Sequence, residues 1–490
     1  MERGRARLQL IEQASTAVGA ADDGPPEPAL APVVATGPDD GRLAHRATHR
    51  RDTPVPSRHE AEGLLVGFVA DLLDAPDGAS GRVVAGPEEA ALAVLRGARD
   101  SRPGLRVATV VLPASAHPAY FAAAATLGLL PLVAPLDADG RASVGATTRL
   151  LREDTVLVVA SAPSYTHGVV DPVAWLAAAA AVRGLPLHVD ATGGGWAVAH
   201  AERAGRVGPG WGFAATGVTS VALSVGPEGG GAADLAVLLH RDSAGARAAA
   251  PTAVRRRGPL DLPATWSRPG GLLGDVVETL REIGHDGCAA LVDDALAATA
   301  AFVAGVAALD GVRLVARPAA TVVSLRTDAT CDVLTLADAL HRRGWTTHPV
   351  LPESGPPLLR VPVTAAVRPV VDGLLEALAE AVEEARERGP AQVDATLERL
   401  LDHLDPDDVR DHSAHLLLDA AATLDAVVPE HPGARAETNL LLAAARPGVR
   451  EALLGVHLDR LVRPVRPVRP VRPVRTGQDP ATTASTEARE

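Results

Sequence analysis

Between residues 106 and 240 the chain alternates short, uninterrupted apolar runs with longer helix-like ones, and this rhythm constrains the fold more than any other feature. The strand candidates are Arg106–Leu112, Leu130–Pro135, Thr155–Ala160, Pro186–Asp190, Thr219–Ser224 and Leu235–His240. Helical runs fall at Pro118–Leu127, Val144–Arg152 and Pro172–Val182. A strand that is apolar on every residue has no face for solvent, so helices must cover both of its sides. Strands alternating with helices imply an α/β fold built on a mostly parallel sheet with right-handed crossovers. Ligands of such sheets gather at the carboxyl ends of the strands. His117, His167 and Asp190 each lie at or just after such an end, so one shared pocket is expected.

The flanks read differently. Residues 1–58 are rich in Pro, Asp and Arg and are expected to be a disordered leader. Helix-like text begins at Glu60–Leu73, followed by a turn at Ala75–Gly81 and a helical run Glu88–Asp100. The large α/β domain is expected to span 59–255. A Pro/Arg-rich connection, Arg255–Gly271, then leads into a long helix, Cys288–Leu309. A smaller α+β domain is expected over 256–390, with strands near Val312–Val315, Thr321–Leu325, Trp345–Val350 and Leu358–Val363 and helices Val333–Arg342 and Ala365–Arg388. Residues 391–460 read as appended helices, and 461–490 hold a low-complexity Arg-Pro-Val tail. Its proline at every third position favours polyproline II.

All 47 basic side chains are arginine; the sequence contains no lysine. The formal net charge of −13 argues against a general nucleic-acid or anionic-membrane surface. Cys288 and Cys331 form neither a metal-ligand spacing nor a disulfide framework. The first residues, MERGRARLQLIEQ, lack the apolar core of a secretory signal. No charge-free apolar stretch approaches the roughly 18–20 residues of a membrane span. A cytoplasmic protein that engages neither membrane nor nucleic acid is the expectation.

Six short stretches recur in order along the chain: SAHPAYF (115–121), ASAPSYTHGVVDPV (160–173), LPLHVDATGGG (185–195), GVTS (217–220), SRPGGL (267–272) and RRGW (342–345). Together they resemble the pyridoxal-phosphate-dependent decarboxylase and lyase group of fold type I, nearest the sphinganine-phosphate lyase branch. The resemblance covers residues 82–385. It implies pyridoxal 5'-phosphate as cofactor and dimers with sites at the subunit boundary. It gives Asp190 the pyridine nitrogen, which a carboxylate keeps protonated so that the ring accepts electrons; the residue alone also reads as a turn or cap aspartate. It lays His117 against the ring face, where the histidine could equally cap the next helix. His188, two residues before Asp190 on one strand face, either lines the same pocket or is a core histidine. His167 resembles a loop histidine of the lyase branch, or is a solvent-facing loop residue. Ser267 and Arg268 match a motif near the subunit boundary, where Arg268 offers either a forked phosphate contact or an interface ion pair.

Two stretches depart from that pattern. The family's strand beginning GVTS runs on to a His-Lys pair whose lysine forms the Schiff base; here the pair falls on Gly226 and Pro227. Neither has a nucleophilic side chain, and arginine does not substitute for an amine nucleophile. The family's phosphate loop, Gly-Gly-Thr-Glu-Ser, is matched by Gly86-Pro87-Glu88-Glu89-Ala90. Gly86 keeps its place, Pro87 removes a donor, and Glu88 sets a negative charge where a dianion would sit. Glu228 adds a further carboxylate. Three functions are therefore expected as alternatives: a non-catalytic paralogue acting as partner or scaffold, in a homodimer or with a lysine-containing relative; a working lyase or decarboxylase holding its cofactor without a covalent link; or a binding module for another small ligand.

Overall fold

The computed structural model describes residues 57–206, 210–225, 235–249, 270–352, 355–392 and 436–461, with four further positions between 399 and 404. The first helix, α1 (Arg58–Leu72), begins on a capping box in which Ser57 and Glu60 satisfy each other's backbone donors. A seven-stranded sheet follows, in the order β1-β7-β6-β5-β4-β2-β3. Its strands are β1 (Ser80–Ala85), β2 (Thr109–Pro113), β3 (Leu130–Ala134), β4 (Thr155–Ser161), β5 (Leu187–Ala191), β6 (Val218–Ser224) and β7 (Leu235–His240). The expected α/β architecture is present: β2 to β6 pair in parallel through four ladders. β7 alone runs against its neighbours β6 and β1. Leu235–His240 is thus the antiparallel exception in the expected, mostly parallel sheet. β1 has no counterpart among the strand candidates, which begin at Arg106. It is six residues long, and its partner β7 lies about 150 residues downstream, so nothing local marks it as a strand.

Residue parity divides the core. Val111, Val158, Leu187, Val189, Val221 and Val237 face one layer, formed by α1, α5 (Val173–Val182), α6 (Gly195–Arg203) and α8 (Gly270–Val306). Val110, Leu112, Leu157 and Val159 face the other, formed by α2 (Gly86–Asp100) and α3 (Pro118–Leu127). Two shorter helices, α4 (Val144–Leu150) and α7 (Ser243–Ala248), complete this part. With aromatics at 2% of residues, alanine, valine and leucine fill both layers. At Gly195 a Cβ would lie 2.4 Å from that of Ala191, so only glycine brings α6 down onto the end of β5.

α8 begins 18 residues before the expected long helix and bends at Gly284, where φ is 61°. Its stretch Val276–Val306 is long and apolar enough to cross a membrane by length and composition. In the fold that stretch packs on α1 and α6 and carries Asp293 and Asp294, which pair with Arg206 and Arg368. Beyond it lies a second sheet ordered β10-β11-β9-β8, from β8 (Val312–Leu314), β9 (Val322–Thr327), β10 (His348–Val350) and β11 (Leu358–Pro362). It holds its own core with α9 (Val333–Arg342) and α10 (Val371–Arg388). Of the appended helices, α11 (Ala436–Ala444) and α12 (Pro447–Leu461) are described. The Asp338 carboxylate on α9 accepts the Ala436 N–H at 3.2 Å, which ties α11 to the small core. The leader, most of the Arg255–Gly271 connection and the Arg-Pro-Val tail lie outside the described residues.

The two sheets meet at the loop after β4. Ser324 Oγ on β9 donates to the Thr166 carbonyl at 2.6 Å, and the Ala319 N–H donates to the Gly168 carbonyl at 2.9 Å. Gly168 has φ +67°, and a Cβ there would stand 2.2 Å from the Val322 carbonyl oxygen. Gly168→Ala combines left-handed strain with a backbone collision, and about 2–4 kcal/mol of destabilisation is expected. Urea unfolding measures it; an unchanged midpoint would contradict this account of the junction.

Three buried histidines make a second expectation. Burial pushes His188 down to about 3 and His200 and His240 down to about 4. Each is neutral in the fold and takes up a proton on unfolding below its ordinary range. Their contribution to stability is therefore full above about pH 6.5 and is lost as pH falls toward those values, at roughly 2 kcal/mol per histidine between about pH 7 and about pH 5. Asp171, which burial raises to about 6, works in the opposite sense and offsets part of the loss. His240→Gln should lose less stability between those pH values than the parent protein, and equal losses would refute the assignment.

Candidate functional site

The carboxyl edge of the large sheet gathers the ends of β1, β2, β4, β5 and β6, and parity decides what each end presents. On β5, Leu187, Val189 and Ala191 point into the core beneath α5 and α6, so His188 and Asp190 face the layer of α2 and α3. His188 is completely enclosed: its Nε2 meets the Tyr120 hydroxyl at 2.7 Å and its Nδ1 the Ser220 hydroxyl at 2.8 Å. It lies on the same face as Asp190, one residue pair deeper, with both ring nitrogens engaged by the protein. Asp190, at the strand's end, is 2% exposed. Its Oδ1 accepts the Thr192 N–H at 3.0 Å and the Thr192 hydroxyl at 2.6 Å, closing the turn toward α6. Among the described residues no hydrogen bond reaches its other oxygen.

His117 stands where β2 gives way to α3. It caps that helix, its Nδ1 accepting the Ala119 N–H at 3.1 Å. Its ring meets Tyr165 edge to face, with centroids 4.6 Å apart. Burial lowers the His117 pKa, and the Asp190 charge opposes that shift; burial raises the Asp190 pKa, and His117 opposes it in turn. The two residues therefore share one electrostatic environment, and both are driven toward neutrality by loss of water. The capping and turn roles open to these residues from sequence are filled.

The loop after β4 and the second sheet add two groups that sequence reasoning did not single out. The end of that loop is held by Asp171, whose carboxylate accepts the N–H groups of Ser161 at the end of β4 and of Ala142 in the connection before α4, each at 2.8 Å. Tyr165 projects from it, and the guanidinium carbon of Arg360, on β11 of the second sheet, lies 4.1 Å from the Tyr165 ring centroid. Arg360 also lowers the His117 pKa, so its charge is felt in the same cleft. Tyr165 is one of two tyrosines in the chain, and Arg360 is the one charged residue in an otherwise apolar strand. Those were the available signals. His167, from the same loop, takes a separate direction: its Nδ1 meets the Thr166 hydroxyl at 2.6 Å and its ring packs against Gly140.

At β1, Gly86 opens α2 with φ +62°. The Glu89 carboxylate folds back and accepts the Ala85 N–H at 2.8 Å. Pro87 has no N–H to give. The Glu88 side chain lies over Gly86, its Oε2 3.3 Å from where a Cβ would stand, and its charge raises the pKa values of both His117 and Asp190. Pro227, Ser267 and Arg268 lie outside the described residues; β6 ends at Ser224 beside the end of β5.

Tested against pyridoxal phosphate, the residues present divide into two halves. The ring half fits: a buried carboxylate with one unengaged oxygen shares an electrostatic environment with a histidine. The phosphate half does not fit. A helix start that holds a dianion needs free N–H donors and no competing anion. Here one N–H is missing, a second is taken by Glu89, and Glu88 is itself anionic. With no lysine in the sequence, no covalent attachment replaces the lost contacts.

Scanned against profiles of known protein families, the chain matches none. Individual proteins are informative. The chain is 27% identical over 324 residues to a sphingosine-1-phosphate lyase of Arabidopsis thaliana, covering 64% of this chain and 59% of that protein. It is 31% identical over 290 residues to a probable L-tyrosine/L-aspartate decarboxylase of Methanothrix thermoacetophila, covering 59% of this chain and 73% of that protein. Among solved structures, a sphingosine-1-phosphate lyase of Burkholderia pseudomallei superposes with a TM-score of 0.62 at 26% identity, over 79% of this chain and 92% of that one. Glutamate decarboxylase of Lactobacillus brevis, at 17% identity and a TM-score of 0.60, shares the fold over 76% of this chain and 96% of its own. The strand order, the paired Asp190 and His117 at the carboxyl edge and these likenesses agree: the chain belongs to the pyridoxal-phosphate-dependent decarboxylase and lyase group of fold type I, near the sphingosine-1-phosphate lyases.

Proposed function

We propose that this chain is a non-catalytic member of its family, a cytoplasmic protein that acts as a dimer partner or scaffold, with itself or with a lysine-containing relative, and engages neither nucleic acid nor membrane. One observation carries the reading: the sequence has no lysine, while β6, the strand that leads to the family's lysine, is intact beside Asp190. The change at the start of α2 supports it independently, because Pro87 and Glu88 act on phosphate affinity and not on covalent attachment. A partner that binds only the folded state stabilises it by mass action, which is a use of the scaffold that needs no chemistry. The reactions of the relatives remain theirs; the chain spans 59% of the Arabidopsis lyase's length.

A second reading draws on the retained ring half. Asp190 and His117 still offer a protonating carboxylate and a flat face, as a lyase or decarboxylase with non-covalently held pyridoxal phosphate would need. The visible spectrum of the full chain mixed with pyridoxal phosphate separates the two. The non-catalytic reading expects the spectrum of free cofactor, unchanged on adding an amino acid or a phosphoamine. A bound chromophore that shifts with added amine would overturn it. Pro227→Lys alone should not restore activity, since Glu88 still opposes the phosphate; recovery from that one change would show the phosphate-loop argument to be wrong. Co-purification of a lysine-containing relative is the expected sign of the partner role.

A further inference from the structure

Away from the cleft, α1 packs on the first half of α8 and leaves an open groove of about 330 Å³ between them. Leu64 and Phe68 of α1 and Val277 and Leu280 of α8 line it. Gly63 and Gly67, one turn apart, line it from α1 as well, and nothing among the described residues lies within 4 Å of where a Cβ would stand at either. Glycine inside a helix costs stability, and here the pair leaves the backbone of α1 open to close approach. Leu64, between them, is 40% exposed. Arg281 is the one charged residue of the lining, and it already pairs with Glu278 at 2.9 Å. A small polar ligand needs convergent polar groups, which these side chains do not supply. The apolar face of a helix laid along the groove needs none.

We propose that this groove is the docking site of the chain's own leader, with residues 7–18 (RLQLIEQASTAV) laid along it as an amphipathic helix. The leader, residues 1–56, lies outside the described residues and joins the structure at Ser57, the cap of α1. Along α1 the groove begins about 9 Å from that cap, at 1.5 Å per residue. Residues 19–56, as a flexible tether, have a reach of roughly 35 Å, which holds the segment at a local concentration on the order of millimolar. The leader is rich in Pro, Asp and Arg, yet residues 7–18 contain no Pro, Asp or Gly. At helical spacing Leu10, Ile11, Ala14, Ala17 and Val18 share one face, and Gln9, Glu12, Gln13 and Thr16 share the other. Ala14 and Ala17 are small enough to approach Gly63 and Gly67 closely. Arg3 and Arg7 extend the apolar face at its start. The rim they would meet is acidic: Glu60 on α1 is exposed and near enough to Arg281 to feel its charge, and Glu282 is exposed beside Arg281 on α8. Docked there, the leader straps α1 to the part of α8 that precedes the bend at Gly284. The inference goes beyond the non-catalytic reading and does not rest on it, because no residue of the cleft takes part.

The test uses the full chain and follows amide hydrogen exchange of residues 7–18 by mass spectrometry, with a synthetic peptide of the same residues as reference. Expected is exchange at least about tenfold slower in the chain than in the peptide. Leu64→Glu and Gly67→Glu, both at exposed positions of α1, should each return the segment to the peptide's rate. Ile11→Glu should do the same while leaving every described residue unchanged, so the result does not depend on how α1 tolerates a substitution. A second measurement identifies the occupant: Ile11→Cys combined with Leu64→Cys should form a disulfide within one chain at every protein concentration tried. Cys288 and Cys331 do not compete, since both are buried and burial pushes their thiols up to about 12 and about 11. Exchange at the peptide's rate in the parent chain overturns the inference, and so does protection that survives both Leu64→Glu and Gly67→Glu. A disulfide that joins two chains would put a second copy's leader in the groove and overturn the assignment to the chain's own.

Discussion

Asp190 is a carboxylate held almost without water at the end of a strand whose other residues are core, and the arrangement of the carboxyl edge follows from accommodating it. Burial alone would neutralise the group. Two hydrogen bonds from Thr192 and the neighbouring His117 oppose that, and each needs a particular local structure: a turn into α6 that only Gly195 lets approach, and a helix start at α3 that fixes the His117 ring. Below it, His188 is locked between Tyr120 and Ser220, so β5 cannot slip by one residue without exposing two satisfied polar groups to apolar surroundings. The polar column on this face of β5 thus sets register as well as chemistry.

The two halves of the cleft respond to different physics. The ring half depends on burial and short-range hydrogen bonding inside the sheet's core, where each residue also serves the fold. His117 caps a helix and Asp190 closes a turn. Losing either costs stability as well as chemistry, and both are present. The phosphate half depends on unsatisfied backbone donors at a helix start, which serve a ligand and are otherwise met by water or a side chain. Glu89 fills that role for Ala85, so the helix start is stable without any anion.

Much of this was legible in the chain itself. The strands β2 to β6 lie within a few residues of their apolar runs, because a doubly covered strand must be apolar throughout. Asp190 and His117 were legible as neighbours through the rule that strand ends converge. β1 was not, since its six residues make sense only against β7, and α8's true start was masked by paired glycines that a helix tolerates when packing supports it. Tyr165 and Arg360 were not, because their meeting depends on how the two sheets face each other.

The sequence by itself determined the layering, the family and the absence of an amine nucleophile, since these rest on local periodicity, ordered motifs and composition. Only the tertiary structure decided which side chains share a cleft. It showed that Glu88 and Arg360 bring opposite charges to the His117–Asp190 pair, and that His188 is fully engaged by Tyr120 and Ser220. Those facts turn on contacts between residues far apart in the chain, and no periodicity records a contact of that kind.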